Sequence, residues 1–187
     1  DHAVAQALIR AAGVPLAAPS ANRSTELSPT RAEHVQASLN GRIDLILDAG
    51  PCRGGIESTV VDVSGNVVRI LRPGLVTAAM LEAVVGELAS PGREPRESEA
   101  VARSPGQMAK HYSPRTPLVL VPPGTPPAAG EGALRLTADP TGYAAALYDS
   151  LHRLDTAGYA RIVVEMPPDT PEWAAVRDRL TRAASVP

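Results

Sequence analysis

The chain has one cysteine, Cys52, and one lysine, Lys110, among 187 residues. A single thiol excludes an internal disulfide and a cysteine-based zinc cluster, so a reducing compartment, the cytoplasm, is expected. No histidine lies near Cys52 in sequence, and it reads as an inert thiol in a tight loop. No apolar run approaches the length of a membrane span, which argues against a membrane partner. There is no hydrophobic signal region either, and the start at Asp1 without methionine reads as truncation. Charge of one sign is also lacking. A formal net charge of -2 gives no general attraction to nucleic acid, so any RNA connection has to run through a small-molecule product or a local patch. No GxGxxG follows a predicted strand, which leaves a dinucleotide unsupported.

What is present describes a globular α/β protein. The composition is 44% hydrophobic and 20% charged, enough for one ordinary core or two small ones. Val4, Leu8 and Ala11 predict a helix ending at Gly13, and residues 14–18 read as a short buried strand. Ser28-Pro29 predicts a helix start with a capping hydroxyl, with Val35 and Leu39 buried, followed by a strand over residues 43–47. Residues 56–63 and 67–71 read as a hairpin turning at Ser64-Gly65-Asn66, and Thr77 caps a helix carrying Leu81, Val84, Val85 and Leu88. Residues 89–116 dissolve into proline, glycine and charge, as an interdomain linker would. Beyond it, strands over 118–121, 133–136 and 161–166 alternate with a helix marked by Tyr143, Leu147, Leu151 and Leu154. A last helix opens at Thr170-Pro171 and carries Trp173, Val176 and Leu180. His2, His34 and His152 fall on predicted helices, read as surface residues and form no metal set.

Several segments carry chemistry. In Ala18-Pro19-Ser20-Ala21-Asn22-Arg23, the Ser20 hydroxyl and Asn22 amide can bind a carboxylate or phosphate while Ala21 lets the backbone approach; alone, such a triplet merely stabilises a turn. Gly50-Pro51-Cys52-Arg53-Gly54-Gly55 could cradle phosphate through backbone amides, although most glycine-rich loops are only turns. It leads into Ile56-Glu57-Ser58-Thr59-Val60-Val61-Asp62. Glu57 and Asp62, five apart on a strand, point to opposite faces and cannot be a catalytic acid pair without a bulge. In Arg69-Ile70-Leu71-Arg72-Pro73-Gly74, Arg72 is a candidate to neutralise a phosphate and Arg69 a second; a surface salt bridge is the alternative for each. Lys110-His111-Tyr112-Ser113-Pro114 is unusual for a linker, which has little reason to spend histidine and tyrosine.

With Ser104-Pro105-Gly106-Gln107-Met108-Ala109 leading into that last motif, the chain resembles, nearly end to end, the YrdC-type threonylcarbamoyl-AMP synthases in their long form. The resemblance implies the C-terminal part of a YrdC-like twisted α/β sheet domain over residues 1–88 and a linker with an active-site strap over 89–116. A small Rossmann-like α/β domain would follow over 117–187. It implies nucleotidyl transfer, in which ATP, L-threonine and bicarbonate give threonylcarbamoyl-AMP and pyrophosphate, with Mg2+ accompanying ATP. The product would pass to a downstream threonylcarbamoyl transferase and tRNA. Ser20, Ala21 and Asn22 would line the nucleotide and acyl-adenylate pocket, Ser58 and Thr59 would meet phosphates or adenylate, Arg69 and Arg72 would neutralise charge, and His111 and Tyr112 would be lid contacts. No catalytic acid or base emerges. The family has glycine soon after the Asn-Arg pair, where this chain has Ser24-Thr25-Glu26. The family's other basic site residues would lie in an N-terminal half absent here, so the isolated chain is expected to be inactive. Two alternatives stand beside this reading: a non-catalytic nucleotide-binding or regulatory fragment, and a related carbamoyl-transferring enzyme.

Overall fold

A computed structural model describes residues 2–89 and 112–184. Helix α1, Ala3–Ala12, ends where expected, with the Gly13 N–H closing onto the Ile9 carbonyl. Helix α2, Ala32–Leu39, begins later than Ser28-Pro29 predicts, and Arg31 stands at its N-cap without a side-chain capping bond. Ser28 is no cap because its hydroxyl is spent elsewhere, on the Glu57 carboxylate. Strands β1, Val60–Asp62, and β2, Arg69–Arg72, form the expected antiparallel hairpin, with an irregularity between Val60 and Val61. Helix α3, Ala78–Val85, follows with the Thr77 hydroxyl accepting from the Met80 N–H at 3.3 Å.

The strands expected over 14–18 and 43–47 do not form. Their β-branched and apolar residues suit a pleated, half-buried surface, but a strand also needs a neighbour for its N–H and C=O groups. No described residue supplies that ladder, and Leu16 and Leu45 stay 44% and 75% exposed.

The second half is built differently. Strands β3, Leu118–Val121, β4, Glu131–Leu134, and β5, Arg161–Glu165, make a parallel sheet in the order β3-β5-β4. The central strand carries Ile162, Val163 and Val164, an unbroken apolar run of the kind a strand covered on both faces requires. β4 starts and ends two residues before the sequence predicts, because the Leu136 N–H goes to the Glu165 carboxylate at 2.8 Å instead of to a ladder. Helix α4, Pro140–Thr156, is capped by Asp139 and buries Tyr143, Leu147, Tyr148 and Leu151. A single 3₁₀ turn, Pro171–Trp173, leads into helix α5, Ala174–Ala183, so the helix expected from Thr170-Pro171 begins with that turn. Leu118, Ile162 and Val164 from the sheet pack against these helices, and Leu27 and Tyr112 enter the same core. By contrast, α1, α2 and α3 bury none of their own residues.

Candidate functional site

The β1-β2 hairpin positions the central residues. Ser58 and Thr59 lie just before β1, and Arg72 closes β2, so the antiparallel register brings them together. The Arg72 guanidinium donates to the Ser58 carbonyl through Nε at 3.2 Å and Nη2 at 3.0 Å. The Thr59 hydroxyl donates to the Val76 carbonyl at 2.7 Å. This close return of the chain needs Gly74, since a Cβ there would lie 2.3 Å from the Thr59 nitrogen and 2.8 Å from its hydroxyl oxygen. The preceding loop needs glycine too. A Cβ on Gly55 would fall 2.2 Å from the Ala145 carbonyl oxygen of α4, so Gly55 lets the loop lie directly on that helix.

Tyr112 joins this group from the far side. It is 2% exposed, its ring centroid 5.8 Å from that of Tyr148, and the Arg179 guanidinium carbon sits 5.4 Å over it. Burial, together with the Glu57 charge, raises the Tyr112 phenol above its ordinary value; Arg179 and Arg72, the latter hydrogen-bonding to it, pull the other way. Burial raises Tyr148 well above the normal phenol range, and its hydroxyl donates to Glu57 at 3.1 Å. Glu57 is therefore a structural carboxylate. Burial alone would raise its pKa, but hydrogen bonds from Ser28 and Arg179 outweigh that and hold it below the usual value. Asp62 serves the hairpin turn instead, accepting from the Ser64 N–H at 2.9 Å, so the two acids do not act as a pair.

The Ser20-Ala21-Asn22 loop reaches this group through the backbone. Asn22 Nδ2 donates to the carbonyls of Arg23 at 3.0 Å and Glu26 at 3.1 Å, which leaves Oδ1 buried and without a partner among the described residues. Such an acceptor suits an N–H donor such as an amine. Glu26 bridges Ser113, the neighbour of Tyr112, and the Ser113 N–H donates to Thr25 at 2.9 Å. Ser20 is exposed and Ala21 half-buried. Arg69 is not brought to the group: it is exposed at the other end of β2, three residues from Arg72 and so on the opposite face. His111 lies outside the described residues, as does most of the expected linker. An open cleft of about 460 Å³ between α2 and residues 43–48 contains none of the predicted site residues.

Reading the sequence missed Tyr148 and Arg179, and treated Glu57 only as half of a rejected acid pair. It also placed His34 and His152 on the surface. Their rings instead stack at 3.8 Å, half-buried between α2 and α4, with His152 Nε2 3.1 Å from the Ser28 carbonyl oxygen. The arrangement offers a half-buried cation, two hydroxyl side chains, an unmet amide acceptor and a buried phenol. These are means to bind and orient an anionic, hydrogen-bonding ligand.

Residues 1–74 match the family model described as telomere recombination, and residues 76–185 that described as threonylcarbamoyl-AMP synthase, C-terminal domain. The chain is 36% identical to threonylcarbamoyl-AMP synthase of Bacillus subtilis, covering 98% of this chain and 61% of that protein. With the same-named protein of Pyrococcus abyssi it is 38% identical, over 64% of this chain and 35% of the other. Against the crystal structure of P. abyssi Sua5 complexed with L-threonine, the TM-score is 0.82 at 28% identity, covering 99% of this chain and 64% of that one. The chain thus spans less than two thirds of the length of these relatives. A family model that matches more than half of its residues settles the kinship: the chain belongs to the threonylcarbamoyl-AMP synthase family.

Proposed function

We propose that the protein makes threonylcarbamoyl-AMP. The threonine amine adds to bicarbonate with loss of water, and a carbamate oxygen then attacks the α-phosphorus of ATP, whose bond to pyrophosphate breaks. The observation that carries this reading is the Arg72 guanidinium held on the Ser58 carbonyl beside Thr59, within reach of Tyr112, on a fold like that of a threonine-bound relative. In this reading Arg72 faces phosphate charge, and Ser58 and Thr59 orient the adenylate. Ser20, Ala21 and Asn22 line the acyl-adenylate pocket, with the Asn22 carbonyl oxygen taking an N–H of substrate. Tyr112 and His111 close the site, which excludes water from a hydrolysable mixed anhydride. A second relative of known structure is a P. abyssi Sua5 variant in which an adjacent histidine and tyrosine are alanine. That pair is of the same type as His111-Tyr112.

Arg69 remains a proposed charge contact at most from outside this group. Magnesium belongs here as part of the MgATP substrate; among the described residues, no three His, Cys, Asp or Glu side chains gather to hold a resident ion. The product would be consumed by a transferase acting on tRNA. A cytoplasmic location belongs to the same proposal, and no described helix is long and apolar enough to cross a membrane.

The test is to supply MgATP, L-threonine and bicarbonate to the full-length protein and measure threonylcarbamoyl-AMP and pyrophosphate. Removing one charge-stabilising donor typically lowers turnover about 100-fold or more, so Arg72→Ala should fall by about that factor and Ser58→Ala by less. Unchanged product formation in both variants would remove these roles.

A further inference from the structure

Arg179 occupies a place where a charged side chain is rare. It lies on the core-facing side of α5 with Val176, Leu180 and Ala183, and is 0% exposed. A buried guanidinium persists only where its donors are met. Nε donates to Glu57 Oε2 at 2.7 Å and Nη1 to Asp178 Oδ2 at 2.6 Å. Nη2 donates to the Pro73 carbonyl at 3.0 Å and, more weakly, to the Glu57 carbonyl at 3.4 Å.

Apart from Asp178 on its own helix, these acceptors fall at two points in the chain. Glu57 immediately precedes Ser58-Thr59, and Pro73 immediately follows Arg72. The same guanidinium lies over the Tyr112 ring. The carboxylate it grips is fixed from two other directions, by Ser28 and by Tyr148. One side chain of α5 therefore ties down both ends of the hairpin that presents the candidate site and packs on Tyr112.

We propose that Arg179 is the positioning residue through which the C-terminal half sets the active-site geometry, holding Ser58, Thr59 and Arg72 at their working separation and seating Tyr112. The inference rests on the function proposed above. Arg179 touches no substrate; it acts through Glu57 and Pro73. Lysine cannot substitute, because a single ammonium lacks the planar fork that reaches both acceptors.

The experiment uses the full-length protein with Arg179→Met, Arg179→Lys, Glu57→Gln and the double variant Glu57→Gln/Arg179→Met. Displacing positioned groups by about 1 Å costs on the order of 100-fold, so kcat/KM for ATP should fall by about that factor in Arg179→Met, without rescue in Arg179→Lys. The double variant should lose no more than the worse single one, since both remove the same contact. Hydrogen exchange supplies a readout independent of activity. Amides at 57–62 and 112–113 should exchange faster, while the ladders at 118–121 and 161–165 keep their protection. Wild-type exchange at 57–62 in Arg179→Met would overturn the proposal. So would an equal loss of protection in the ladders, which would make Arg179 a general packing residue. Should Arg179→Met fail to fold, the near-isosteric Glu57→Gln is expected to give the same local pattern, and its absence there overturns the proposal too. If the wild-type protein makes no threonylcarbamoyl-AMP, the functional reading falls while hydrogen exchange still judges the coupling.

Discussion

Thr25 sits at a φ of 73°, in the left-handed region, where a β-branched side chain is strained. Tyr112, across the hydrogen bond from Ser113 N–H to the Thr25 carbonyl, is at 61°. Each costs about 1–2 kcal/mol relative to the right-handed conformation. Strain on both sides of one contact, beside a candidate binding site, is where backbone distortion is commonly held for function. Thr25→Gly removes the steric cost but adds about 0.5–1 kcal/mol of chain entropy to the unfolded state. The expected result in urea unfolding is a neutral to stabilising change of up to about 1 kcal/mol. A destabilisation beyond that would mean the Thr25 side chain makes contacts worth more than the strain.

At the scale of elements, the hairpin and the loop on either side of it carry the site, and Gly74 sets how closely they approach. Gly74→Ala would drive a methyl into the Thr59 nitrogen and hydroxyl, so the 73–76 segment must move off Ser58-Thr59. Product formation is expected to fall about 100-fold, while circular dichroism and the exchange protection of β3 and β5 stay as they are. Retained activity would show that the close approach is not needed. The hairpin was legible in sequence because β-rich runs flank a Ser-Gly-Asn turn, α1 and α3 because apolar spacing agrees with Gly13 at the end of one and Thr77 at the start of the other, and α4 because of its apolar spacing. The strands over 14–18 and 43–47 were not, since alternation and β-branching state what a strand would bury and not whether a neighbour will pair with it. Arg179 went unread because arginine is rarely buried, and Tyr148 because the α4 stripe was marked by Tyr143, Leu147, Leu151 and Leu154 alone. Their spacing held the signal: Arg179 falls in register with Val176 and Leu180, and Tyr148 with Ala144 and Leu151, on stripes that face inward.

Over the whole molecule, burial is unequal. Among the described residues, every large hydrophobic side chain left exposed, Tyr159 apart, lies between Val4 and Val85, whereas the core is made chiefly by residues 112–184. The first half is therefore held by its contacts with the second: the Glu57–Arg179 cluster, the Arg31–Asp149 ion pair at 2.5 Å, and the stacked histidines of α2 and α4. The histidines make this docking sensitive to pH. Burial lowers the pKa of His34 below 6.5, as do the facing His152 and Arg31, with Asp149 and Glu33 opposing; burial lowers that of His152 against the Ser28 carbonyl, Asp155, Asp149 and Glu26. A histidine whose folded pKa is depressed binds fewer protons folded than unfolded, so its stabilising contribution is complete above about pH 6.5 and is lost as pH falls below it. Asp149, lowered chiefly by its hydrogen bond from Arg31, gives way only at pH values near or below the ordinary carboxylate range and does not act in this window. The urea midpoint should therefore fall between pH 7.5 and 5.5. His152→Asn, which keeps a polar group near the Ser28 carbonyl without a titrating proton, should flatten that dependence. A midpoint independent of pH in the wild-type protein, or a slope unchanged in His152→Asn, would mean that the paired rings are not what responds to acid.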